Sequence, residues 1–262
     1  MAFRGSADVA FLNIGGYDVL GSVTNLNDKS EAVLEESHTL GDAWREQAYV
    51  GLRFSEITQE GFYDDGPIGS HAALSTGPGV GRVLMYGLEG TATGARVLCY
   101  ESAMQVNYEI IAARGALTKA KATYRSNGAV EEGRLLRTYK VTGATGASTG
   151  TPVDNGTSTV ADPASGGSAR GGGAGYFAWN STAGEGNFRI LDSADNITYA
   201  ALFTFTKTTT GTTASGAQTQ GAERIATTGA IQRYAAVDYT TATATGGAGL
   251  NYVMALVRGL ST

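Results

Sequence analysis

Hydrophobic and polar residues alternate with a period of two along most of this chain, the pattern of strands that bury one face. Tyr49 to Asp65 predicts a long strand or a bent hairpin, with Val50, Leu52 and Phe54 alternating against Gly51, Arg53 and Ser55. Ile57 falls on the other parity, which predicts a β-bulge near Ser55–Ile57, because one extra residue flips the phase. Phe62-Tyr63-Asp64-Asp65-Gly66-Pro67 is turn chemistry. Pro67 then opens Ile68 to Thr76, the best short helix in the chain, since the N–H that a first-turn proline lacks would have no partner anyway.

Strands resume at Arg82–Leu88 and Ala95–Tyr100, with the turn between Gly87 and Gly94. From Ser102 to Ile110 the alternation predicts Met104, Val106, Tyr108 and Ile110 on one face and Gln105, Asn107 and Glu109 on the other. Thr118–Tyr124 is a further strand, Asn127-Gly128 is a strong turn dipeptide, and Arg134–Val141 closes the first half. The second half reads as strands at Tyr176–Trp179, Asn187–Leu191, Thr198–Thr206, Glu223–Ala226, Ala230–Tyr239 and Leu250–Val257, with a turn cluster at Asp192–Asn196. Short strands at this spacing point to a β-sandwich or jelly roll, and no long helix is predicted.

Composition sharpens this picture. Of 262 residues, 42% are hydrophobic, enough for a sizeable core. Only 16% are charged, against about a quarter in a typical soluble domain. A surface built from Thr, Ser, Asn, Gln and Gly suits a protein whose sides are covered by neighbours. The 38 glycines and 4 prolines favour strands joined by tight turns. Most charged side chains precede residue 142. The small-residue run Val141–Gly150 reads as a linker, and Asp162–Gly175, with Gly166-Gly167 and Gly171-Gly172-Gly173, as a mobile loop. Two units are therefore expected, 1–141 and 176–262, with 142–175 as linker and loop between them.

Charge and candidate chemistry exclude several functions. A net charge of −5 argues against a protein that grips nucleic acid, though DNA can slide past such a surface. A single cysteine, Cys99, forbids an internal disulfide and a thiolate cluster, and its apolar setting marks it as a buried small hydrophobe. The two histidines, His38 and His71, lie in different elements without metal-ligand spacing, and no metal or other cofactor is expected. Gly69-Ser70-His71 lacks a nucleophile-elbow context. Asp64 and Asp65 point to opposite faces if their segment is extended, so they cannot share a catalytic site. Gly77-Pro78-Gly79-Val80-Gly81 has no following Lys-Ser/Thr pair and no helix to cradle a phosphate. No catalytic residue is assigned and no enzymatic activity is expected. Asn180-Ser181-Thr182 and Asn196-Ile197-Thr198 fit the glycosylation sequon, which has no meaning without secretion. With no membrane-length apolar helix and no signal-peptide core at the N-terminus, assembly in a cytoplasm is expected.

The order Tyr17-Asp18-Val19-Leu20-Gly21, Glu31–Thr39, Leu40-Gly41-Asp42-Ala43-Trp44 and Tyr49–Asp65, ending Gly61-Phe62-Tyr63-Asp64-Asp65, resembles the opening of siphophage tail tube proteins. The resemblance covers roughly residues 8–140. The second half, through Leu191–Tyr199, Leu202–Thr206, Gly221–Arg224 and Gly229–Tyr234, resembles a β-sandwich module appended to such tail proteins, of the immunoglobulin-like or galectin-like type. This implies a mainly β fold: a tail-tube-like β-barrel or sandwich with one short helix, then an exterior β-sandwich. It implies hexameric rings stacked into a hollow conduit for genome delivery, located in the virion tail and assembled in the host cytoplasm. Implied partners are other copies of the chain, a tape measure protein, and tail terminator and distal tail proteins; DNA only passes through, and no membrane is involved.

Within that reading Gln105, Asn107 and Glu109 are the lumen-facing candidates, and an acidic lumen would repel phosphates. The long segment Asn25–Gly41 is expected to be a loop that reaches the next ring and orders on assembly, with Glu31, Glu35, Glu36 and Asp42 as inter-ring candidates; plain solvation is the other reading of these acids. A capsid decoration protein, tail terminator or baseplate subunit shares this composition. A glycan-binding module drawing on Trp179 and Tyr176, with Tyr199 and Tyr239, is the alternative of a different class.

Overall fold

The computed structural model describes residues 9, 11–36, 47–66, 69–75, 79–141, 148–154, 171–181, 184–205, 219–244 and 250–258. Among the described residues the fold is mainly β, with one short α-helix and two sheets. In the first half the strands are β1 (Leu12–Ile14), β2 (Tyr17–Asp18), β3 (Val23–Glu36), β4 (Gln47–Phe62), β5 (Gly81–Gly87), β6 (Arg96–Ile111), β7 (Lys119–Ser126) and β8 (Val130–Val141). Helix α1 (Ser70–Leu74) sits between β4 and β5. The second half adds β9 (Ser148–Thr149), β10 (Val153–Asp154), β11 (Gly171–Ser181), β12 (Gly184–Ser193), β13 (Ala200–Thr204), β14 (Thr219–Ala230), β15 (Tyr234–Ala244) and β16 (Leu250–Arg258).

The large sheet runs β14-β11-β16-β8-β6-β5-β1-β2, and β7, β4 and β3 branch from it. Strand β6 is the branch point. Its first half, Arg96–Tyr100, pairs with β8, and its second half, Ala103–Ile111, pairs with β7. The handover is made by the β7–β8 hairpin at the predicted Asn127-Gly128 turn, where Gly128 takes a φ of 145°. Asn127 N donates to Ser102 O at 2.7 Å and stitches that turn to β6. Beyond β7 lies β4, then β3 at the edge.

This four-stranded branch, β3-β4-β7-β6, has one face in a core. Ser55, Ile57, Gln59 and Gly61 of β4 and Ala120, Ala122 and Tyr124 of β7 are buried at alternate positions. Helix α1 lies over that face with Ala73 and Leu74 inside. Ser70 Oγ accepts from Asp64 N at 3.0 Å and donates to Phe62 O at 2.8 Å, which pins the helix start to the end of β4. Gly61 permits a close approach of chain: a Cβ there would meet Ser22 O at 2.1 Å.

The smaller sheet, β10-β15-β12-β13 with β9 beside β15, packs on the β11-β16 part of the large sheet. Its core is aromatic, centred on Phe177, whose ring lies 4.8 Å from Phe188 and 5.2 Å from Trp179. Leu136 of β8 joins this cluster. A third cluster combines Phe11, Met85, Val97 and Cys99 with Tyr176, Ala255 and Val257. Strands on the two sides of residue 142 are also paired directly, from Leu250 opposite Val141 to Leu256 opposite Arg134.

Several local expectations change. Asn25–Glu36 is strand rather than loop, hydrogen-bonded along β4. No bulge occurs at Ser55–Ile57, where the pairing runs without a shift; the irregularities of these strands lie at Val23–Asn25, at Ala32–Leu34 and between Gln105 and Asn107. The apolar parity of Val50 and Leu52 is not what positions Ile57, because the inward set on β4 is that of Ser55 and Ile57. Gly171–Gly175, read as loop, begins β11, where a bare backbone fits against Ile231 and Phe203. Ala230 ends β14 instead of opening β15.

Candidate functional site

The face of β3-β4-β7-β6 that points away from α1 is largely polar, with Met104, Phe62 and Ile111 as apolar members. Cross-strand partners share a face, so the rows read Lys29–Glu56–Arg125, Asn27–Thr58–Thr123–Asn107 and Asn25–Glu60–Lys121–Glu109. The charges are matched in pairs. Arg125 Nε lies 2.7 Å from Glu56, and Lys119 Nζ lies 2.7 Å from Glu60, whose carboxyl this hydrogen bond holds below its ordinary range. Lys29 pairs with Glu31 on the same strand. Thr58 and Thr123 hydroxyls meet at 3.1 Å. Exposed, mixed-sign and threonine-rich, this surface has little grip on a polyanion.

The three lumen candidates do not share it. Asn107 and Glu109 do, joined at 3.3 Å from Asn107 Nδ2 to Glu109 Oε1. Gln105 lies on the opposite face, 1% exposed, with Nε2 donating to Leu74 O at 2.6 Å and Oε1 accepting from Tyr124 at 3.3 Å. The cause is the bulge at Val106: Gln105 pairs with Tyr124 and Asn107 with Thr123, so strict alternation fails between them. Met104 therefore faces the same way as Asn107, and Tyr108 turns to α1, where its hydroxyl meets His71 Nδ1 at 2.8 Å. The acids of this face are opposed by bases: Glu56 by Arg125, Glu60 by Lys119 and Glu109 by Lys121.

Both edges of this small sheet are open among the described residues. Strand β3 pairs only with β4, and β6 beyond Gln105 pairs only with β7. Glu31, Glu35 and Glu36 lie on β3, opposite Phe54, Ala48 and Gln47. Asp42 and His38 fall outside the described residues.

Edge strand β3 is tied to the interior by Asp28. Its carboxylate accepts from Ser55 Oγ at 3.1 Å, from Tyr100 OH at 2.7 Å and from Tyr86 OH. Burial first, and then the Asp28 charge, push both phenols well above their ordinary range. A second network joins the halves. Arg224 of β14 donates to Glu131 Oε1 at 2.8 Å, to Glu101 Oε1 at 3.1 Å and to Tyr176 OH at 3.0 Å. An open cleft of about 430 Å³ beside it is lined by Tyr17, Arg82, Glu101 and Gln220. Sequence reasoning missed Asp28, Glu131 and Arg224. The one available sign was Glu131-Glu132, a strand pair that must face both ways: Glu131 goes inside, and Glu132 meets Arg96 at the surface, 2.7 Å away.

The glycan candidates are core residues. Tyr176 is fully buried and donates to Glu131, and Trp179 stacks on Phe177 at 18° between planes, so neither offers a face to a sugar. Tyr239 is buried in the same cluster, and Tyr199 is half-buried. Cys99 is buried, which pushes its thiol well up. Among the described residues no three His, Cys, Asp or Glu side chains are grouped to hold a metal ion, and no helix is long and apolar enough to cross a membrane.

No protein-family model matches the chain, and no curated protein does. Among solved structures it is similar to a chain in the virion of a native gene transfer agent particle, with 11% identity and a TM-score of 0.37, over 50% of this chain and 98% of that one. It is similar to a chain in the tail of an empty gene transfer agent particle refined with C6 symmetry, with 12% identity and a TM-score of 0.37, over 49% and 97%. It is similar to the SPP1 Dit protein, described as a paradigm of the hub adsorption apparatus in phages infecting Gram-positive bacteria, with 9% identity and a TM-score of 0.34, over 94% and 98%. Likenesses at this level assign no function to this chain.

Proposed function

We propose that this chain is a non-catalytic structural subunit of a long-tailed phage tail, in which copies close into rings around a conduit lined by the polar face of β3-β4-β7-β6. The observation that carries this reading is that sheet itself: one face in the core, the other mostly polar, and both edges unpaired among the described residues. An open edge is a template for another strand, and joining copies edge to edge satisfies its main-chain groups. Strand direction supports closure. The four strands alternate, so β3 of one copy meets β6 of its rotated neighbour antiparallel, and the pattern continues around the ring. Six copies supply about 24 strands, beyond the roughly 16 at which a closed barrel keeps a water-filled channel. A lining of paired charges and hydroxyls leaves a passing polyanion without a cationic foothold.

In this reading the aromatic sandwich of the second half lies on the outside of the tube, and the tape measure, terminator and distal tail proteins are the partners. The glycan-binding alternative is not favoured, because Trp179 and Tyr176 are in the core. The test is the mass of the purified full chain with rising concentration, by light scattering, together with negative-stain images. Rings or hollow rods are the expected products; a monomer at every concentration, with or without the phage partners, overturns the proposal.

A further inference from the structure

The link between β7 and β8, Asn127-Gly128-Ala129, holds the one Asn-Gly pair among the described residues; Asn155-Gly156 lies outside them. Asn127 and Gly128 are both exposed. Among the described residues no hydrogen bond uses the Asn127 carboxamide or the Gly128 N–H. The carboxamide is free to turn, and the main-chain nitrogen that follows it is neither crowded by a side chain nor held by an acceptor. The fold also requires glycine here. Gly128 has a φ of 145°, where other residues are strained, so the pair cannot be relieved by a larger neighbour.

The exposed Asn196 shows the opposite arrangement. Its carboxamide oxygen accepts from Tyr199 OH, the next residue is the bulky Ile197, and Ile197 N is held by Asp195 Oδ1 at 2.9 Å. Both the amide and the nitrogen that could reach it are occupied.

The Asn127 link is also pinned at both ends. Strands β7 and β8 pair with the same side of β6, so that Ser126 lies opposite Ala103 and Val130 opposite Tyr100. Between them Asn127 N donates to Ser102 O at 2.7 Å, and Glu101 N donates to Ala129 O at 3.3 Å. The Glu101 carboxylate lies close by: a Cβ on Gly128 would meet its Oε2 at 3.1 Å.

We propose that Asn127 is a self-modification site, where the side-chain amide is lost and the joint between β7 and β8 loosens. Solvent base takes the Gly128 N–H proton, and the nitrogen attacks Asn127 Cγ. The Gly128 N–Cγ bond forms, the Cγ–Nδ2 bond breaks, and ammonia leaves, closing a five-membered imide. Water then opens the imide at either carbonyl, giving aspartate or isoaspartate. Either product places a new carboxylate beside Glu101. Isoaspartate also lengthens the main chain by one carbon inside a link whose ends are fixed by pairing, and one of the two bonds to Glu101 and Ser102 has to give. The site does not depend on the ring reading.

The experiment ages the native full-length protein in mildly alkaline buffer beside a sample held in denaturant. Trypsin releases Ser126–Arg134, in which Asn127 is the sole amide side chain, and Ile190–Lys207, in which Asn196 is. Mass spectrometry is expected to show Ser126–Arg134 gaining the amide-to-acid mass change and splitting into two products. Its native rate should lie within about tenfold of the denatured rate, while native Ile190–Lys207 stays unchanged. A Ser126–Arg134 peptide that converts in denaturant but not in the native protein, or that converts no faster than Ile190–Lys207, overturns the site. Amide exchange then compares aged wild type with aged Asn127→Ser, which cannot cyclise. Exchange at Glu101 and Asn127, the donors of the two bonds, is expected to be about tenfold or more faster in the modified wild type, as loss of one hydrogen bond implies. Equal exchange in the two overturns the loosening and leaves the modification standing.

Discussion

Arg224 on β14 and Glu131 on β8 meet inside the protein, 2.8 Å apart, and join segments far apart in sequence. Glu131 is 2% exposed and Arg224 15%, so their charges are largely removed from water. Such a pair is costly to break from one side, because the remaining charge stays buried alone. Arg224→Met is expected to lower unfolding free energy by about 3–5 kcal/mol. Adding Glu131→Leu should recover a large part of that loss. Urea denaturation of the two single variants and the double variant checks both statements.

Asp28 holds the edge strand in the same way at smaller cost. Asp28→Ala removes the acceptor shared by Ser55, Tyr86 and Tyr100, and a loss of about 1–3 kcal/mol is expected, since hydrogen bonds to a charged group are worth about that. The effect should be local. Amide exchange in Val23–Ser30 should accelerate more than exchange in β7, whose pairing to β4 and β6 is untouched.

Asp195 provides a pH prediction. Its Oδ1 accepts from Thr198 N and Ile197 N, each at 2.9 Å, and from Ser193 Oγ at 2.9 Å, and these bonds hold its carboxyl down at about 2, against an ordinary 3.8. A depressed folded value means that the contribution of this turn is complete above about pH 4 and disappears as pH falls through about 2. The amide signals of Ile197 and Thr198 should therefore titrate with a midpoint near 2. In Asp195→Asn that titration should be absent.

Much of this architecture was legible in the pattern of residues. The strand pattern located β5 and β7, an almost unbroken apolar run located β16, Asn127-Gly128 located the hairpin that divides β6, and Pro67 with its followers located α1. Gln105 shows where such reading stops. A bulge at Val106 is set by pairing with β7, not by any local signal, and one residue of slip sends Gln105 into the core while Asn107 stays outside. Trp179 and Tyr176 show the same limit for burial. An aromatic strand residue looks alike on an open face or under a second sheet, and only the packing of β12 and β15 over β11 decides it. Asn25–Glu36 read as a loop because its polar residues suggest no buried face. Its strand is held through main-chain bonds to β4 and through Asp28, neither of which has a periodic signature.

Cys99 offers an internal probe of global opening. It is buried between the halves, and burial raises its thiol well above the ordinary range, so the reactive thiolate is scarce while the fold is closed. A thiol reagent should leave the native protein unlabelled and react fully in denaturant. Labelling in Arg224→Met at intermediate urea should rise together with loss of the β signal in circular dichroism.

The most direct test of the conduit is a cryo-EM reconstruction of the assembled chain. The account predicts a rotationally symmetric hollow assembly in which β3 of each copy runs antiparallel beside β6 of its neighbour, with Asn107, Glu109 and Lys121 facing the lumen and Gln105 turned away from it. An assembly whose central channel is lined by other strands, or in which this polar sheet faces outward, would contradict it.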